Sequence, residues 1–294
     1  MNKELKYISS FFTSEFRTFL SYLSTINQDN LSEIRMRINQ PIMLDCGEKI
    51  LFADKIPPVT RADIDSTMAL LSDYSLNSIR DKLCKGFIPL RYGCRAGIAG
   101  QVIIKNNKVD FQKDISSIVF RIAHEKIGCA DKIINKIVSN KHIYNTLIIS
   151  PPAMGKTTLL RDTARILGNS FNVTIIDERS EIASIYNGAA QFDIGKRTDI
   201  INSCPKSIGI SIAVRSLSPD VIITDEIGLE EDASALLECA TSGVSFIATL
   251  HAKNIEDVKK RLFVKPLIDN NVIEKVIILG NSSGVGTIEY ITEI

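Results

Sequence analysis

The sequence predicts an α/β protein with two domains, a smaller N-terminal α+β domain over residues 1–135 and an α/β domain over residues 136–294. Two observations predict this arrangement. In the second part, short and wholly apolar segments alternate with helical ones, which is typical of a buried parallel sheet. In the first part, helices and strands come in blocks, which is typical of an α+β domain. A length of 294 residues is enough for two modest domains.

The N-terminal part begins with helix and continues as strand. Its first helical stretch carries large apolar residues at amphipathic spacing, namely Phe11, Phe12, Phe16, Phe19, Leu20 and Leu23. Ile34, Met36 and Ile38 then alternate with Arg35 and Arg37, which predicts a half-buried strand with the two arginines on the other face. We expect further strands at residues 49–52, 95–104 and 110–111.

The stretch between residues 60 and 79 predicts a helix. Thr60 is a good N-cap residue, because its hydroxyl oxygen accepts a hydrogen bond from a free N–H group of the first turn. The helix is expected to begin near Ala62. Apolar residues at helical spacing continue through Leu76 to Ile79, so we expect helix over this region.

The second part alternates apolar strands with helices. Its predicted strands are residues 146–149, 173–176, 221–224, 246–249 and 275–279. Its predicted helices are residues 130–139, 156–167, 232–239 and 255–262, with further helical segments between the second and third strands. Strands this short and this apolar predict a sheet that is buried.

The strongest functional signal lies between the strand at residues 146–149 and the helix at residues 156–167. Gly155, Lys156 and Thr157 open this helix, in the strand–loop–helix context that a P-loop needs. Backbone N–H groups of such a loop converge on phosphate oxygens, and the helix N-terminus adds a partial positive charge. We therefore predict ATP and Mg²⁺ as ligands, with Lys156 on the β- and γ-phosphates and Thr157 on the metal. The predicted nucleotide-binding residues are Ser150, Pro151, Pro152, Ala153, Met154, Gly155, Lys156, Thr157 and Thr158.

The motif departs from its usual pattern at residue 150, where serine stands in the place of glycine. Glycine is used there for its conformational freedom. Ser150 ends a strand and precedes Pro151, which favours an extended backbone. We therefore expect an ordinary backbone conformation at Ser150. The alternative is a chance Gly-Lys-Thr sequence at the start of an ordinary helix.

A second apolar strand ends in two adjacent acids, Asp225 and Glu226. If this strand lies beside the strand of the P-loop, Asp225 comes close to Mg²⁺ and holds it through water. Glu226 is then placed to orient or activate the water that attacks the γ-phosphate. Taken alone, the pair is more simply two solvated carboxylates at a strand end. The Lys156 motif is what favours the functional interpretation.

Composition excludes several other classes of protein. The chain is 45% apolar and 23% charged, which is ordinary for a folded, soluble protein. Lys and Arg total 35 against 34 Asp and Glu, so the basic excess of a dedicated nucleic-acid binder is missing. Charges interrupt what would be the apolar region of a signal peptide, so we expect a cytoplasmic protein. Apolar runs fall well short of the roughly 20 residues of a membrane-spanning helix.

The cysteines and histidines do not predict a zinc site. No C-x-x-C pair occurs, and the histidines have no metal-ligand spacing with the cysteines. We interpret the cysteines as reduced core residues of a cytosolic protein. The residues concerned are Cys46, Cys84, Cys94, Cys129, Cys204, Cys239, His124, His142 and His251.

Together these motifs resemble the RecA-like ATPases of type II and type IV secretion systems, and most of all the stage III sporulation protein AA family. Residues 173–182 are similar to the acidic box of those ATPases, residues 249–252 to their histidine box and residues 220–226 to their Walker B strand. The segments 33–37 and 93–100 are similar to the sporulation branch. The resemblance implies a RecA-like P-loop NTPase core that follows the smaller α+β domain.

The resemblance also implies an assembly and a place in the cell. It implies a homo-oligomeric ATPase, a hexamer, that acts as a motor at the channel between mother cell and forespore during sporulation. The expected location is cytoplasmic and peripheral at the membrane of the mother cell. The expected partners are proteins of a membrane channel or secretion-like complex, and no nucleic acid is expected.

Three further site residues take their roles from this resemblance. His251 contacts or senses the γ-phosphate; the alternative is a partly buried histidine satisfied by the backbone. Glu178, with Asp177, binds a water of Mg²⁺ or positions the nucleophile; the alternative is a helix N-cap. Arg215 is the candidate finger for the nucleotide of a neighbouring subunit, because a planar charge suits a spreading phosphate charge. Its alternative is a surface or ion-paired arginine.

Four departures separate the chain from standard secretion motors. Arg179 stands where those ATPases usually have proline, and Gly228 where their Walker B motif has arginine. Val244 replaces an upstream histidine, and Asp225 replaces a glycine. These differences argue against a pilus or toxin-secretion motor and are compatible with the sporulation branch.

Other functions stay open on the sequence. A RecA-like ATPase stimulated by nucleic acid would have the same fold, although the near-zero net charge offers no electrostatic footprint. A small-molecule kinase or a GTPase is a third class, but the guanine-reading N-K-x-D motif is missing from the expected region. A scaffold that only retains a nucleotide is a fourth; the presence of Lys156, Thr157, Asp225 and Glu226 makes it less attractive.

Overall fold

The chain divides into two compact units in the computed structural model, which describes residues 3–23, 31–47, 49–75, 79–84 and 86–293. The first unit comprises Met1–His124 and Tyr186–Gln191. The second comprises Glu125–Ile185 and Phe192–Ile294. The expected domain boundary after residue 135 stays a prediction.

The first unit contains an antiparallel sheet and short helices. Its helices are α1 (Lys3–Ser9), α2 (Ser14–Leu23), α3 (Arg61–Leu71) and α4 (Arg80–Cys84), with a 3-10 turn at Arg91–Gly93. Its strands are β1 (Glu33–Arg37), β2 (Met43–Asp45), β3 (Ile50–Phe52), β4 (Phe87–Pro89), β5 (Arg95–Lys105) and β6 (Lys108–Arg121). They pair in the order β3-β2-β1-β6-β5-β4.

The two faces of β1 are as predicted. Ile34 and Met36 are buried, whereas Arg35 and Arg37 are half-buried on the other face. The Arg35 guanidinium donates a hydrogen bond to Glu33 on that face, at 2.8 Å. The buried face belongs to an apolar core that includes the aromatic rings of Phe11, Phe12, Phe16 and Phe120.

Thr60 caps α3 as predicted, but the helix is shorter than expected. The Thr60 hydroxyl accepts a hydrogen bond from the N–H of Asp63 at 3.2 Å, and the Asp63 carboxylate accepts from the N–H of Thr60 at 2.8 Å. The helix does not continue to Ile79, because Asp73 follows its end with a φ of 49°, which is left-handed backbone. Leu76 lies outside the described residues.

The second unit is an α/β layer structure around a mainly parallel sheet. Its helices are α5 (Asp131–Ile137), α6 (Lys156–Leu167), α7 (Lys206–Ser216), α8 (Glu230–Thr241), α9 (Ile255–Lys259) and α10 (Lys265–Asp269), with a 3-10 turn at Leu262–Val264. Its strands are β7 (Val138–Ser139), β8 (His142–Ile143), β9 (Thr146–Ser150), β10 (Val173–Asp177), β11 (Thr198–Asn202), β12 (Val221–Glu226), β13 (Ser245–His251), β14 (Lys275–Gly280) and β15 (Thr287–Glu293).

The sheet has the strand order β11-β10-β12-β13-β9-β14-β15, and β7 pairs with β8 separately. Pairs from β11 to β14 are parallel, and β15 is antiparallel to β14. Each strand predicted from its apolar run lies in this sheet, and β9 and β10 are buried throughout. The edge strands β11 and β15 were not predicted, because they are partly exposed and mix polar with apolar residues.

The expectation that β9 and β12 are neighbours is wrong, since β13 lies between them. Ser150 at the end of β9 pairs with His251 at the end of β13. Glu226 at the end of β12 pairs with Thr249, after a register shift that displaces Asp225 from the regular ladder. Because parallel strands end at one edge of a sheet, these three strand ends lie side by side.

The end of α6 approaches the loop before β11 closely at two glycines. A Cβ atom on Gly168 would lie 2.6 Å from the carbonyl oxygen of Ile194 and 2.2 Å from the hydroxyl of Thr198. A Cβ atom on Gly195, which has a φ of 86°, would lie 2.7 Å from the Cα atom of Gly168. Glycine at both positions therefore lets α6 seat against this loop.

Gly168→Ala is expected to lower the free energy of unfolding by about 1–3 kcal/mol, because its methyl group has to displace backbone atoms. The matched control is Gly228→Ala, whose Cβ atom would meet nothing within 4 Å. That control is expected to change stability by no more than about 0.5 kcal/mol. Urea unfolding of both variants beside the wild type measures the difference. Equal stability of the two variants would contradict the close approach.

Candidate nucleotide site

The phosphate-binding loop follows β9 directly. Ser150 is the last residue of this buried strand and keeps its extended backbone, as expected. Ala153 and Gly155 then adopt left-handed conformations, with φ values of 60° and 80°. Such a conformation costs a residue with a Cβ atom about 1–2 kcal/mol and glycine little. The two residues turn the chain so that α6 begins at Lys156.

The N-terminus of α6 is suited to bind an anion. This helix has no side-chain cap at Gly155 and no acidic residue in its first turn. The first N–H groups of a helix have no partner within it, and with the helix dipole they attract negative charge. Thr157 and Thr158 lie in the same turn. A phosphate group is the kind of ligand that this arrangement accepts.

The Lys156 side chain is held beneath the loop. It is 7% exposed, and its Nζ atom donates to the carbonyl oxygens of Ser150 at 3.2 Å and Pro151 at 3.3 Å. Nζ also lies 3.1 Å from the Ser150 hydroxyl, which donates to the Pro151 carbonyl at 2.6 Å. Burial lowers the pKa of Lys156, and the nearby Glu226 carboxylate opposes this shift. Serine at position 150 thus supplies a contact that glycine cannot.

His251 connects Lys156 to Glu226. The Nζ atom of Lys156 lies 2.8 Å from Nδ1 of His251. On the other side of the ring, Nε2 lies 3.3 Å from Oε2 of Glu226. His251 therefore contacts two side chains of the site, and its Nδ1 atom also lies 3.4 Å from the backbone carbonyl oxygen of Ser150.

Asp225 lies deep on the other side of the site. It is 5% exposed, and the Lys206 ammonium lies 3.2 Å from its Oδ1 atom, although without well-directed hydrogen-bond geometry. Lys206 is itself 5% exposed and donates to Oε2 of Glu178 at 2.6 Å. Burial raises the pKa of Asp225 to about 6, Lys206 opposes this shift, and Asp177 and Glu181 add to it.

Asp177 organises the loop that follows β10. Its Oδ1 atom accepts a hydrogen bond from the N–H of Glu181 at 2.7 Å, and its Oδ2 atom accepts from Ile182 at 3.1 Å and Ala183 at 2.9 Å. The N-cap alternative for Asp177 and Glu178 is wrong, because no helix occurs within residues 178–205, all of which the structure describes. Asp177 is committed to backbone donors of its own loop.

A cavity of about 460 Å³ joins the loop side and the acidic side of the site. The predicted site residues that line it are Ala153, Met154, Gly155, Lys156, Thr157, Thr158, Asp225, Glu226 and His251. Ser150 and Pro151 contact the site through Lys156, and Pro152 is exposed on the loop.

Several residues at the site were not predicted. Arg179, Glu181, Thr249 and Val285 line the cavity, and Lys206 contacts Asp225 behind it. Arg179, Glu181 and Thr249 lie within the acidic and histidine boxes. The resemblance therefore indicated their segments as functional, but not these individual side chains. The sequence signal for Lys206 is of a different kind. A cation at the start of a helix is repelled by the helix dipole, which indicates that it has an acidic partner elsewhere.

Glu178 and Arg215 lie outside the cavity. Glu178 reaches Asp225 only through Lys206, which contacts both carboxylates. Arg215 is exposed in the last turn of α7, at a surface depression of about 330 Å³ that α7 shares with α8. It lies nine residues beyond Lys206, or about 13 Å along the helix axis. Arg215 therefore does not line the cavity of its own chain.

The donor groups of the site fit a hydrated Mg²⁺ that takes other ligands from a nucleotide. Among the described residues, no group of three or more His, Cys, Asp or Glu side chains is placed to hold a metal ion by itself. Asp225 and the Thr157 hydroxyl line the same cavity. Oδ1 of Asp225 is buried and accepts no well-directed hydrogen bond, which leaves it a lone pair for a metal-bound water.

Two other expectations from composition can be compared with the structure. The six cysteines are free thiols; Cys94 and Cys239 are buried, and the others are half-buried. In the part of the chain that the structure describes, no helix combines the length and the apolar character that spanning a membrane requires.

Sequence comparison identifies relatives of the chain. The family described as "Sporulation stage III, protein AA" matches residues 2–293. Stage III sporulation protein AA of Bacillus subtilis is 38% identical over 268 residues, which cover 89% of this chain and 86% of that protein. Protein SEEDLING PLASTID DEVELOPMENT 1 of Arabidopsis thaliana is 28% identical over 215 residues, or 72% of this chain and 28% of that protein.

Solved structures of an ATPase and a pilus retraction motor share the fold. The ATPase DotB of Legionella pneumophila superposes with a TM-score of 0.62 at 18% identity, over 91% of this chain and 76% of DotB. The pilus retraction motor PilT, solved with bound ADP, gives a TM-score of 0.59 at 17% identity, over 88% of this chain and 77% of PilT. These likenesses confirm the predicted RecA-like P-loop fold class.

Asp177→Ala is expected to lower the free energy of unfolding by at least about 2 kcal/mol, because buried N–H groups lose their acceptors. Asp199→Ala, at an exposed position of the neighbouring strand β11, is the matched control and is expected to change stability by less than about 0.5 kcal/mol. Thermal and urea unfolding of the two variants test this. Similar small losses in both would contradict a stabilising role for the hydrogen bonds that Asp177 accepts.

Proposed function

Because the chain belongs to the stage III sporulation protein AA family, we propose that it is an Mg²⁺-dependent ATPase that hydrolyses ATP to ADP and phosphate. The observation that carries the proposal is the lining of one cavity by Lys156, Thr157, Asp225, Glu226 and His251. A phosphate-binding loop alone also suits a scaffold that retains a nucleotide. An acid pair across from the loop is what hydrolysis needs.

The triphosphate binds at the loop and the start of α6. Backbone N–H groups of residues 153–158 donate to phosphate oxygens, and the helix dipole adds to the attraction. Lys156 exchanges its hydrogen bonds to the carbonyl oxygens of Ser150 and Pro151 for bonds to the β- and γ-phosphates. Bonds between two charged groups are stronger than those they replace, so the exchange is favourable.

Thr157 and Asp225 hold Mg²⁺, Asp225 through a water molecule. The bound ion supplies charge neutralisation at the β- and γ-phosphates. Burial favours the neutral form of Asp225 and raises its pKa, whereas a nearby cation favours the ionised form. A cation in the cavity would therefore add to Lys206 in stabilising the ionised form of Asp225.

Glu226 orients and activates the attacking water. Its side chain is 40% exposed, so water reaches it from the cavity. His251 lies between Glu226 and Lys156, and loses the Lys156 donor when Lys156 turns to the phosphates. His251 thereby senses the γ-phosphate and passes its presence to Glu226. Glu178 contributes from outside the cavity by helping to position the acidic side of the site.

The ATPase works as a homo-oligomeric motor, a hexamer, at the channel between mother cell and forespore. Family membership supports a role in sporulation, and the shared fold with DotB and PilT supports a motor of the secretion-ATPase kind. ATP at a subunit boundary adds contacts in a closed state that ADP lacks, which shifts the population of states. The motor acts in the cytoplasm of the mother cell, at its membrane, with channel proteins as partners.

Arg215 completes the site of a neighbouring subunit. It is exposed, and it is not part of the cavity of its own chain. The exposed side chains of Ile208 and Ile212 share the outer surface of α7 with it, which suits a surface that another protein covers. A guanidinium delivered from outside then meets the charge that spreads over the γ-phosphate during transfer.

Lys156→Ala and Glu226→Gln are expected to fail at different steps. Lys156→Ala removes the phosphate charge partner and is expected to abolish both ATP binding and hydrolysis. Glu226→Gln keeps the shape of the site and is expected to bind ATP nearly as the wild type does, with hydrolysis reduced by about 100-fold or more. Phosphate release and equilibrium binding of a fluorescent ATP analogue separate the two steps, with and without Mg²⁺.

Full ATPase activity in Lys156→Ala would defeat the assignment of the site. Single-stranded DNA serves as a control ligand in the same assay, because the near-zero net charge predicts no stimulation. Salt-dependent stimulation by DNA would instead favour a nucleic-acid-acting ATPase.

A mixture of Arg215→Ala and Lys156→Ala chains tests whether Arg215 acts between subunits. Each variant alone is expected to be inactive, because one lacks the finger and the other lacks the phosphate site. In a mixed oligomer, an intact finger of one chain meets an intact cavity of the other, so part of the activity returns. ATP hydrolysis is measured against the mixing ratio and total protein concentration. No recovery at any ratio would contradict an action of Arg215 in trans.

A further inference from the structure

Lys206 occupies a position that its own helix disfavours. It is the first residue of α7, where the helix dipole repels a positive charge. It is also 5% exposed, and burial removes an ammonium group from water at a considerable free-energy cost. Burial alone would lower the pKa of Lys206, yet its hydrogen bond to Glu178 and the attraction of Asp225 raise it overall. The stabilisation of this charge therefore comes from outside α7.

Two carboxylates from neighbouring strands provide that stabilisation. Glu178 follows β10 and Asp225 lies in β12, and these two strands pair in parallel. The Lys206 ammonium lies 2.6 Å from Oε2 of Glu178 and 3.2 Å from Oδ1 of Asp225. One cation thus bridges two acids that the sheet brings to the same edge.

We propose that Lys206 is a positioning residue of the nucleotide site: Glu178 anchors its ammonium, which holds the carboxylate of Asp225 in the place from which it acts on hydrated Mg²⁺. The proposal rests on the proposed ATPase function and adds a residue that the P-loop and Walker B motifs do not contain.

Asp225 depends on this contact more than an exposed acid would. Its Oδ1 atom is buried and accepts no well-directed hydrogen bond, so the Lys206 ammonium is the charged group that fixes its orientation. Asp177 and Glu181 are nearby negative charges that repel it. Without Lys206, the carboxylate turns away from these acids. The cavity then loses a ligand for a metal-bound water.

The same contact ties α7 to the site. Lys206 begins this helix and Arg215 lies in its last turn, so one rigid element joins the acidic side of the cavity to an exposed guanidinium. Gly209 brings the helix close to the sheet, since a Cβ atom there would lie 2.7 Å from Cγ2 of Ile176. Lys206 and Arg215 therefore lie at opposite ends of one helix that packs closely on the sheet.

Lys206→Met tests the proposal, because methionine has a similar length and no charge. Loss of a group that orients a metal ligand commonly reduces metal affinity or activity by about 10–100-fold, and we expect at least a tenfold loss of both kcat and Mn²⁺ binding. Mn²⁺ binding to the ADP complex is measured by electron paramagnetic resonance. Binding of a fluorescent ADP analogue in EDTA is expected to stay within about twofold of the wild type, because the loop and Lys156 are unchanged.

Two further variants separate positioning from simple stability. Lys206→Arg keeps the charge and is expected to recover kcat and Mn²⁺ binding to within about threefold. Lys275→Met removes another largely buried lysine, which is paired with Glu293 far along the sheet from Asp225, and is expected to leave Mn²⁺ binding unchanged. Wild-type kcat and Mn²⁺ binding in Lys206→Met would overturn the proposal, as would an equal loss of metal-free nucleotide binding.

Glu178→Gln carries the test if Lys206→Met does not fold. Glu178 is partly exposed, so this variant disturbs no core packing. Lys206 then loses the carboxylate that anchors its ammonium from the other side and positions Asp225 less well, so Mn²⁺ binding is expected to weaken by about threefold or more. Unchanged Mn²⁺ binding would overturn the proposal. If wild-type protein binds Mn²⁺ and ADP but does not hydrolyse ATP, the proposed function fails while the binding measurements still decide the role of Lys206.

Discussion

The insertion of β13 between β9 and β12 is the constraint on which the site depends. Parallel pairing brings the carboxyl ends of the three strands to one edge, and register places His251 opposite Ser150. His251 consequently lies between the Lys156 ammonium and the Glu226 carboxylate, within 2.8 Å and 3.3 Å of them. If β9 and β12 were direct neighbours, no histidine would separate the phosphate lysine from the acid.

Buried charge is the second feature that organises this edge. Lys156, Asp177, Lys206 and Asp225 are all nearly inaccessible to water. Asp177 is satisfied by backbone donors and is a stabilising element of its loop. Lys156 donates to carbonyl oxygens that phosphate can replace, and Oδ1 of Asp225 accepts no well-directed hydrogen bond, which is typical of a functional site. Whether a buried charge stabilises the fold or serves the nucleotide site therefore depends on the groups that it contacts.

The phosphate-binding loop and Lys156 are features that the sequence predicts well. The strand, the extended backbone at Ser150 and the start of α6 at Lys156 follow from local chemistry: an apolar run, a residue before proline, and a glycine in left-handed backbone. The capping box at Thr60 has the same local origin. The early end of α3 was missed because Asp73 adopts a positive φ, which side-chain periodicity does not report.

Long-range features were predicted less well, because they depend on pairing rather than on local sequence. The edge strands β11 and β15 were not predicted. They are partly exposed, so they do not consist of continuous apolar residues. Residues 186–191 belong to the first compact unit although they follow β10 of the second, and no compositional change marks them. Lys206 was overlooked since its partners lie 28 and 19 positions away in the chain.

The sequence by itself determined the α/β class, the phosphate loop and the identity of the acids, because each depends on residues that are close together along the chain. Tertiary structure alone decided which of these residues meet. It separated Arg215 from the cavity of its own chain and committed Asp177 to its loop. It also placed Lys206 between two acids. The physical reason is that strand order and register, which no local pattern encodes, set the distances between charges.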